Sequence, residues 1–179
     1  MAEQIMSTLG NYIVSNIFAI FLMVAAVKWP KTARLLISVL FVGGGVWNLF
    51  ASLTMPAFYV TTYGPVATAP YRAFIYGPFA ANPALFVVPI AIGELAIGLL
   101  ADGGGTWVRL SMIGMTGFML GLAPLGVGGA FPFSLFAIVA AYFLFRAPPQ
   151  SSLFQDVAAV RMALAHGFSR PHAHPPAHT

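Results

Sequence analysis

A single carboxylate inside a long apolar run constrains this chain more than any other feature. Residues 82–109 read NPALFVVPIAIGELAIGLLADGGGTWVR, and Glu94 is the only charge between Pro83 and Ala101. A spanning helix needs about 20 predominantly apolar residues at about 1.5 Å each, and residues 83–101 nearly meet that length. Helical spacing gathers Ala91, Glu94, Gly98 and Ala101 on one face, while Leu85, Phe86, Val88, Leu95 and Leu99 cover much of the rest. Small neighbours turn an acid toward adjacent helices, because they let backbones come close. Ionisable groups at this depth are costly and mark a function or a specific partner. Glu94 is therefore the first candidate site residue, either a carboxylate that handles protons or holds a polar headgroup, or a structural acid that fixes helix register.

The surroundings agree. The chain is 59% hydrophobic and 7% charged, with a mean hydropathy of +0.87, whereas soluble domains carry roughly 25% charged residues. This composition calls for an integral membrane protein whose first partner is the lipid bilayer. There is no cysteine, which excludes disulfides, thiol catalysis and iron–sulfur ligation by the chain itself. All four histidines (His166, His172, His174 and His178) stand near the C-terminus, so no histidine pair inside the membrane can hold a haem. Spaced as they are, they suit a flexible tail better than a metal site, which would need buried ligands and supporting contacts; no metal site is expected. The basic residues lie scattered at span ends without interleaved stacking aromatics, which argues against nucleic acid as a partner.

In order, residues 1–10 form a short extracytoplasmic tail and residues 11–28 a first span. Its basic flank, Lys28 to Arg34, follows the apolar run, the reverse of a secretory signal. Residues 33–53 form a second span with Gly44, Asn48 and Ser52 on one face. Residues 54–81 break the periodicity with four prolines and gather Phe58, Tyr59, Tyr63, Tyr71, Phe74, Tyr76 and Phe79; such a segment belongs at the interface, capping the bundle. Spans at 83–101, 109–123 and 130–146 follow, the last two short. Gly117 and Gly121 form a GxxxG pair, which supports helix packing. Ser152 and Gln155 fit a capping box for an amphipathic helix over 147–168, followed by a disordered His/Pro tail at 169–179. Lys and Arg counts place the N-terminus outside and the C-terminus in the cytoplasm at every connection. The expected fold is a compact all-α membrane bundle of five transmembrane helices.

Depth counting suggests partners for the acid. At 1.5 Å per residue Glu94 stands ~12 Å above Asp102, Thr116 ~10 Å above Arg109 and Asn48 ~21 Å above Arg34. Thr116 is thus the expected partner of Glu94, and Asn48 is expected to pair with Asn16. Arg72 and Tyr71, with the other outer aromatics, are candidates for the mouth of a headgroup site; Asn48 and Thr116 are candidates for its walls. No Ser-His-Asp set, phosphate loop or carboxylate pair is present, so hydrolase and kinase chemistry find no support.

Three segments carry a family resemblance: ARLLISVLFVGGGVWNLF (33–50), YRAFIYGPFAANPALF (71–86) and GELAIGLLADGGGTWVRL (93–110). In this order they resemble the DoxX family of small bacterial membrane proteins, over about two-thirds of the chain. The family bundle usually has four spans, so residues 11–27 add one, and Asn48 stands near a place where many relatives have lysine. The resemblance implies a bacterial inner-membrane protein working beside redox subunits or the quinone pool, without assigning a reaction. Any redox centre would come from a quinone or another subunit, the chain having no intrinsic cofactor. Two alternatives stand beside this expectation. One is a non-catalytic assembly or scaffold protein; the other is a small-solute carrier, which would need homo-oligomers to build a path.

Overall fold

The computed structural model describes residues 2–127 and 129–148, together with 151, 156, 159, 161 and 162; side chains are described from residue 9 onward. The long apolar runs become five helices, and the proline-rich stretch between the second and third runs becomes a cap of short ones. Helix α1 is Ala2–Lys28 and α2 is Pro30–Thr54. The cap holds α3 (Ala57–Tyr63), α4 (Ala69–Phe74) and a wide turn over Ile75–Phe79, where Pro78 and Gly77 interrupt regular helix. Then come α5 (Pro83–Ala101), α6 (Thr106–Leu122) and α7 (Phe133–Arg146). Four of these are long and apolar enough to cross a membrane, over Leu9–Lys28, Pro30–Thr54, Pro83–Ala101 and Thr106–Leu125, while α7 is a shorter apolar helix.

Two expected boundaries move. The fourth long run starts at Thr106 rather than at Arg109, and a tight turn over Ala123–Leu125 extends it to 20 residues. Arg109 is exposed within the first turns of α6, where a long side chain can carry its charge toward water without ending the helix. Glycine sets the true start, since Gly105 takes a φ of +50° that other residues avoid. The capping box at Ser152 and Gln155, most of the segment 147–168 and the tail 169–179 lie outside the described residues.

The four long helices and the shorter α7 pack in a ring, α1 on α2, α2 on α5, α5 on α6, α6 on α7 and α7 back on α1. At the end carrying Lys28, Arg34, Arg109 and Arg146, the basic end, the ring is filled. Leu22, Ile37, Phe41, Met112, Met115, Ala137 and Ala140 are among the side chains packed there. Arg34 is buried with them, its Nε donating to the Ala101 carbonyl at 3.0 Å and a terminal nitrogen to the Gly103 carbonyl. A cation at a helix C-terminus satisfies carbonyls that lack intrahelical partners, so the arginine of α2 fixes the level of α5.

At the opposite end the cap forms a second core of Ala51, Tyr59, Ala67, Ile75, Phe79 and Val87. It is tied to the end of α6, whose last carbonyls accept from it. The Tyr71 hydroxyl donates to the Gly121 carbonyl at 2.9 Å, and the amide and hydroxyl of Thr68 both donate to the Pro124 carbonyl at 3.0 Å. Gly126 makes the closing approach possible: its φ is +80°, and a Cβ there would stand 2.4 Å from the Val66 carbonyl oxygen.

Candidate functional site

Helix α5 turns the small face around its acid toward α2. Ala91, Glu94, Gly98 and Ala101 are buried, whereas Leu85 and Leu99 stay 64% and 70% exposed on the side that would meet lipid. The two helices touch backbone to backbone. A Cβ at Gly98 would stand 2.8 Å from the Val42 amide nitrogen, and one at Gly45 would stand 2.9 Å from the Ala91 carbonyl oxygen. Gly44 lies level with the acid, and a Cβ there would be 3.3 Å from Glu94 Oε1.

Asn48, not Thr116, holds the carboxyl group. Its Nδ2 donates to Glu94 Oε2 at 2.6 Å. Depth counting left these two residues roughly 9 Å apart because it followed backbone heights alone. Helices α2 and α5 run antiparallel, and every Cα–Cβ bond leans toward the N-terminus of its own helix. Glu94 therefore leans toward the cap and Asn48 leans away from it, which closes the offset. Thr116 points elsewhere: its hydroxyl donates to the Met112 carbonyl at 2.8 Å, and it lines a shallow depression with Ile138 and Ala141 of α7. Height was right for Thr116, but the adjacent Gly117 is the residue facing Glu94's side of the helix ring. Nor does Asn48 pair with Asn16, whose amide instead donates to the Tyr12 carbonyl one turn back in α1 at 2.8 Å.

Tyr59 completes the cluster, and no sequence pattern singled it out. It is 5% exposed, and its hydroxyl donates to Asn48, 3.0 Å from Oδ1 and 3.1 Å from the main-chain oxygen. A buried tyrosine needs such a partner, and Asn48 relays the contact onward, accepting from Tyr59 and donating to Glu94. Burial, with Tyr63 and Glu94 nearby, pushes the Tyr59 hydroxyl up to about 12, so it remains a donor across the ordinary pH range. The relay thus runs from the Tyr59 hydroxyl through the Asn48 amide to the carboxyl group. Only Oε2 is occupied; Oε1 meets no hydrogen-bond donor among the described residues.

The cluster forms one wall of a cavity of about 980 Å³ in the cap half of the ring. Leu40, Phe41 and Gly44 continue the α2 wall, Phe86, Val87 and Ile90 the α5 wall, and Gly117, Phe118, Gly121 and Leu122 the α6 wall; Tyr63, Tyr71, Phe74 and Phe79 roof it. Gly117 and Gly121 do not pack against a helix as a GxxxG pair would, for a Cβ at either would meet nothing within 4 Å. Tyr71 lines the cavity, but its hydroxyl is engaged on Gly121. Arg72 is not among the lining residues; one guanidinium nitrogen donates to the Pro65 and Ala67 carbonyls at 3.2 and 3.0 Å. Among the described residues no cluster of histidine, cysteine, aspartate and glutamate could hold a metal ion. The volume sits at the upper end of ligand pockets, which typically run to about 1,000 Å³ and combine apolar walls with a few convergent polar groups. No family model, curated protein or solved structure matches this chain.

Proposed function

We propose that the protein is a DoxX-like subunit of the bacterial inner membrane that binds the polar head of an amphipathic molecule, foremost a quinone, beside Glu94. In this reading five spans cross the bilayer with the N-terminus outside and the C-terminus in the cytoplasm. The observation that carries it is the coincidence of one half-satisfied carboxyl group with a large apolar cavity. Glu94 lines the cavity, and only its Oε2 meets a donor among the described residues. Glu94 holds or accepts a proton at the head, Asn48 and Tyr59 orient it, and the apolar walls take the tail. In this reading the redox centre is supplied by the quinone and a partner subunit, between which electrons would pass.

The test is purification from native membranes in mild detergent, with extraction and mass spectrometry of what accompanies the protein. The expected result is a quinone or another polar-headed lipid at near one per chain, lost from Glu94→Leu and weakened in Glu94→Gln. An occupant unchanged in both variants would remove Glu94 from the site. A preparation that brings partner proteins and no amphiphile would instead favour an assembly role.

A further inference from the structure

The cavity has a side as well as a roof, and the register of α5 against α6 defines it. The helices are in contact at Ile97, whose carbonyl accepts from the Ser111 hydroxyl at 2.7 Å and whose side chain lies 3.0 Å from where a Gly114 Cβ would stand. They run antiparallel. One turn toward the cap therefore sets Glu94 level with Gly117, and a second sets Ile90 level with Gly121. At both levels α6 offers a glycine with nothing within 4 Å of its missing Cβ, so the seam that is closed at Ile97 lies open above it. Ile90, on its α5 edge, lines the cavity and is 41% exposed. Among the described residues the long helices packed most closely on α5 are α2 and α6, on its two sides.

We propose that this seam is a lateral door, through which a membrane-dissolved molecule with a neutral hydroxyl head and a long apolar tail passes from the bilayer to Glu94. The inference rests on the reading that the cavity holds an amphipathic molecule, and it adds the route and the class. Glu94 lies about 16 Å from the Pro83 end of α5, so any head arriving from the side travels through hydrocarbon. Charged or zwitterionic heads are costly there, which selects a neutral one. A hydroxyl can donate to the free Oε1 while Asn48 holds Oε2. Long-chain alcohols, isoprenols and the phenolic quinols all satisfy this description.

The absence of cysteine makes the door testable. The full chain carrying Ile90→Cys and Gly121→Cys is reconstituted in phosphatidylcholine vesicles with a long-chain alcohol bearing a diazirine, and a short thiol cross-linker bridges the seam before or after the probe is added. Photolabelling of cavity peptides then measures loading. Bridging first is expected to slow loading by about tenfold or more, the factor that accompanies ~1.4 kcal/mol of added barrier. Bridging after loading should trap the label. Gly117→Leu, which enters open space, should slow loading without a cross-linker and without loss of thermal stability. Loading at an unchanged rate in both the bridged protein and Gly117→Leu would overturn the door and leave the cavity reading intact. No cavity labelling in the unbridged parent chain would overturn the reading itself.

Discussion

Substituting Gly98 by alanine tests the contact on which the site is built. The new Cβ would stand 2.8 Å from both the amide nitrogen and Cγ2 of Val42, and 3.0 Å from the Ser38 carbonyl oxygen. Favourable carbon contacts begin at about 3.5 Å, so α2 must withdraw by roughly 0.5–0.7 Å. Two of the three obstacles are backbone, which cannot rotate aside. Overpacking of this kind costs about 1–3 kcal/mol, and alanine's better helix propensity returns at most about 1 kcal/mol. A net loss of about 1–2 kcal/mol is expected. The same withdrawal stretches the Asn48–Glu94 bond from 2.6 Å to beyond about 3.1 Å, where such bonds weaken. Gly45→Ala meets the Ala91 carbonyl oxygen at 2.9 Å and should act alike. Because either substitution separates the same two helices, the double variant should cost less than the sum of the singles. Equilibrium unfolding in mixed micelles, with Gly117→Ala as a control expected within about 0.5 kcal/mol of the parent, measures all four. Equal stabilities for Gly98→Ala and Gly117→Ala, or strict additivity at Gly45 and Gly98, would refute the close-packed α2–α5 interface.

Asn48→Leu removes the donor to Glu94 and the side-chain acceptor of Tyr59, whose hydroxyl keeps the residue 48 main-chain oxygen. The buried Glu94 carboxyl group is left unmatched at about 1–3 kcal/mol, and unfolding measurements should show the variant more destabilising than Tyr59→Phe. At the basic end, hydrogen bonds from Lys31 and Ser151 hold the Asp156 carboxyl below its ordinary value. The carboxylate is thus favoured by folding, so its contribution is present above the ordinary carboxylate range and is lost as pH falls through the depressed value. A carboxyl-carbon NMR titration should place the Asp156 midpoint below that of Asp156 in Lys31→Gln, and coincident midpoints would deny the ion pair.

Much of the architecture was legible because hydropathy and period report directly on helices in lipid. Pro30, Thr54, Pro83 and Ala101 bound α2 and α5 within a few residues of the expected limits, since proline at a helix start and a break in apolar character both leave marks in sequence. The face of α5 was also legible, because residues at helical spacing share a side whatever they touch. Boundaries placed at charges were less secure. Arg109 is a poor marker of a helix start, as its side chain reaches water from inside the first turns.

The site was legible only in its centre. Glu94 declares itself by cost, but its partner depends on which way two antiparallel side chains lean, and a count of heights omits lean. Tyr59 was indistinguishable from the other cap tyrosines until the fold turned its hydroxyl inward to Asn48. Glycine gives the sharpest case. Gly45 and Gly98 exist to let two backbones meet, while Gly117 and Gly121 leave a space unfilled, and all four sit in apolar helices with small-residue spacing. What separates them is the azimuth of each helix in the ring, which is decided by packing at a distance. A glycine pair in a membrane helix is therefore equally a sign of contact and of vacancy. Here vacancy falls at the level of Glu94, whose Oε1 meets no donor among the described residues.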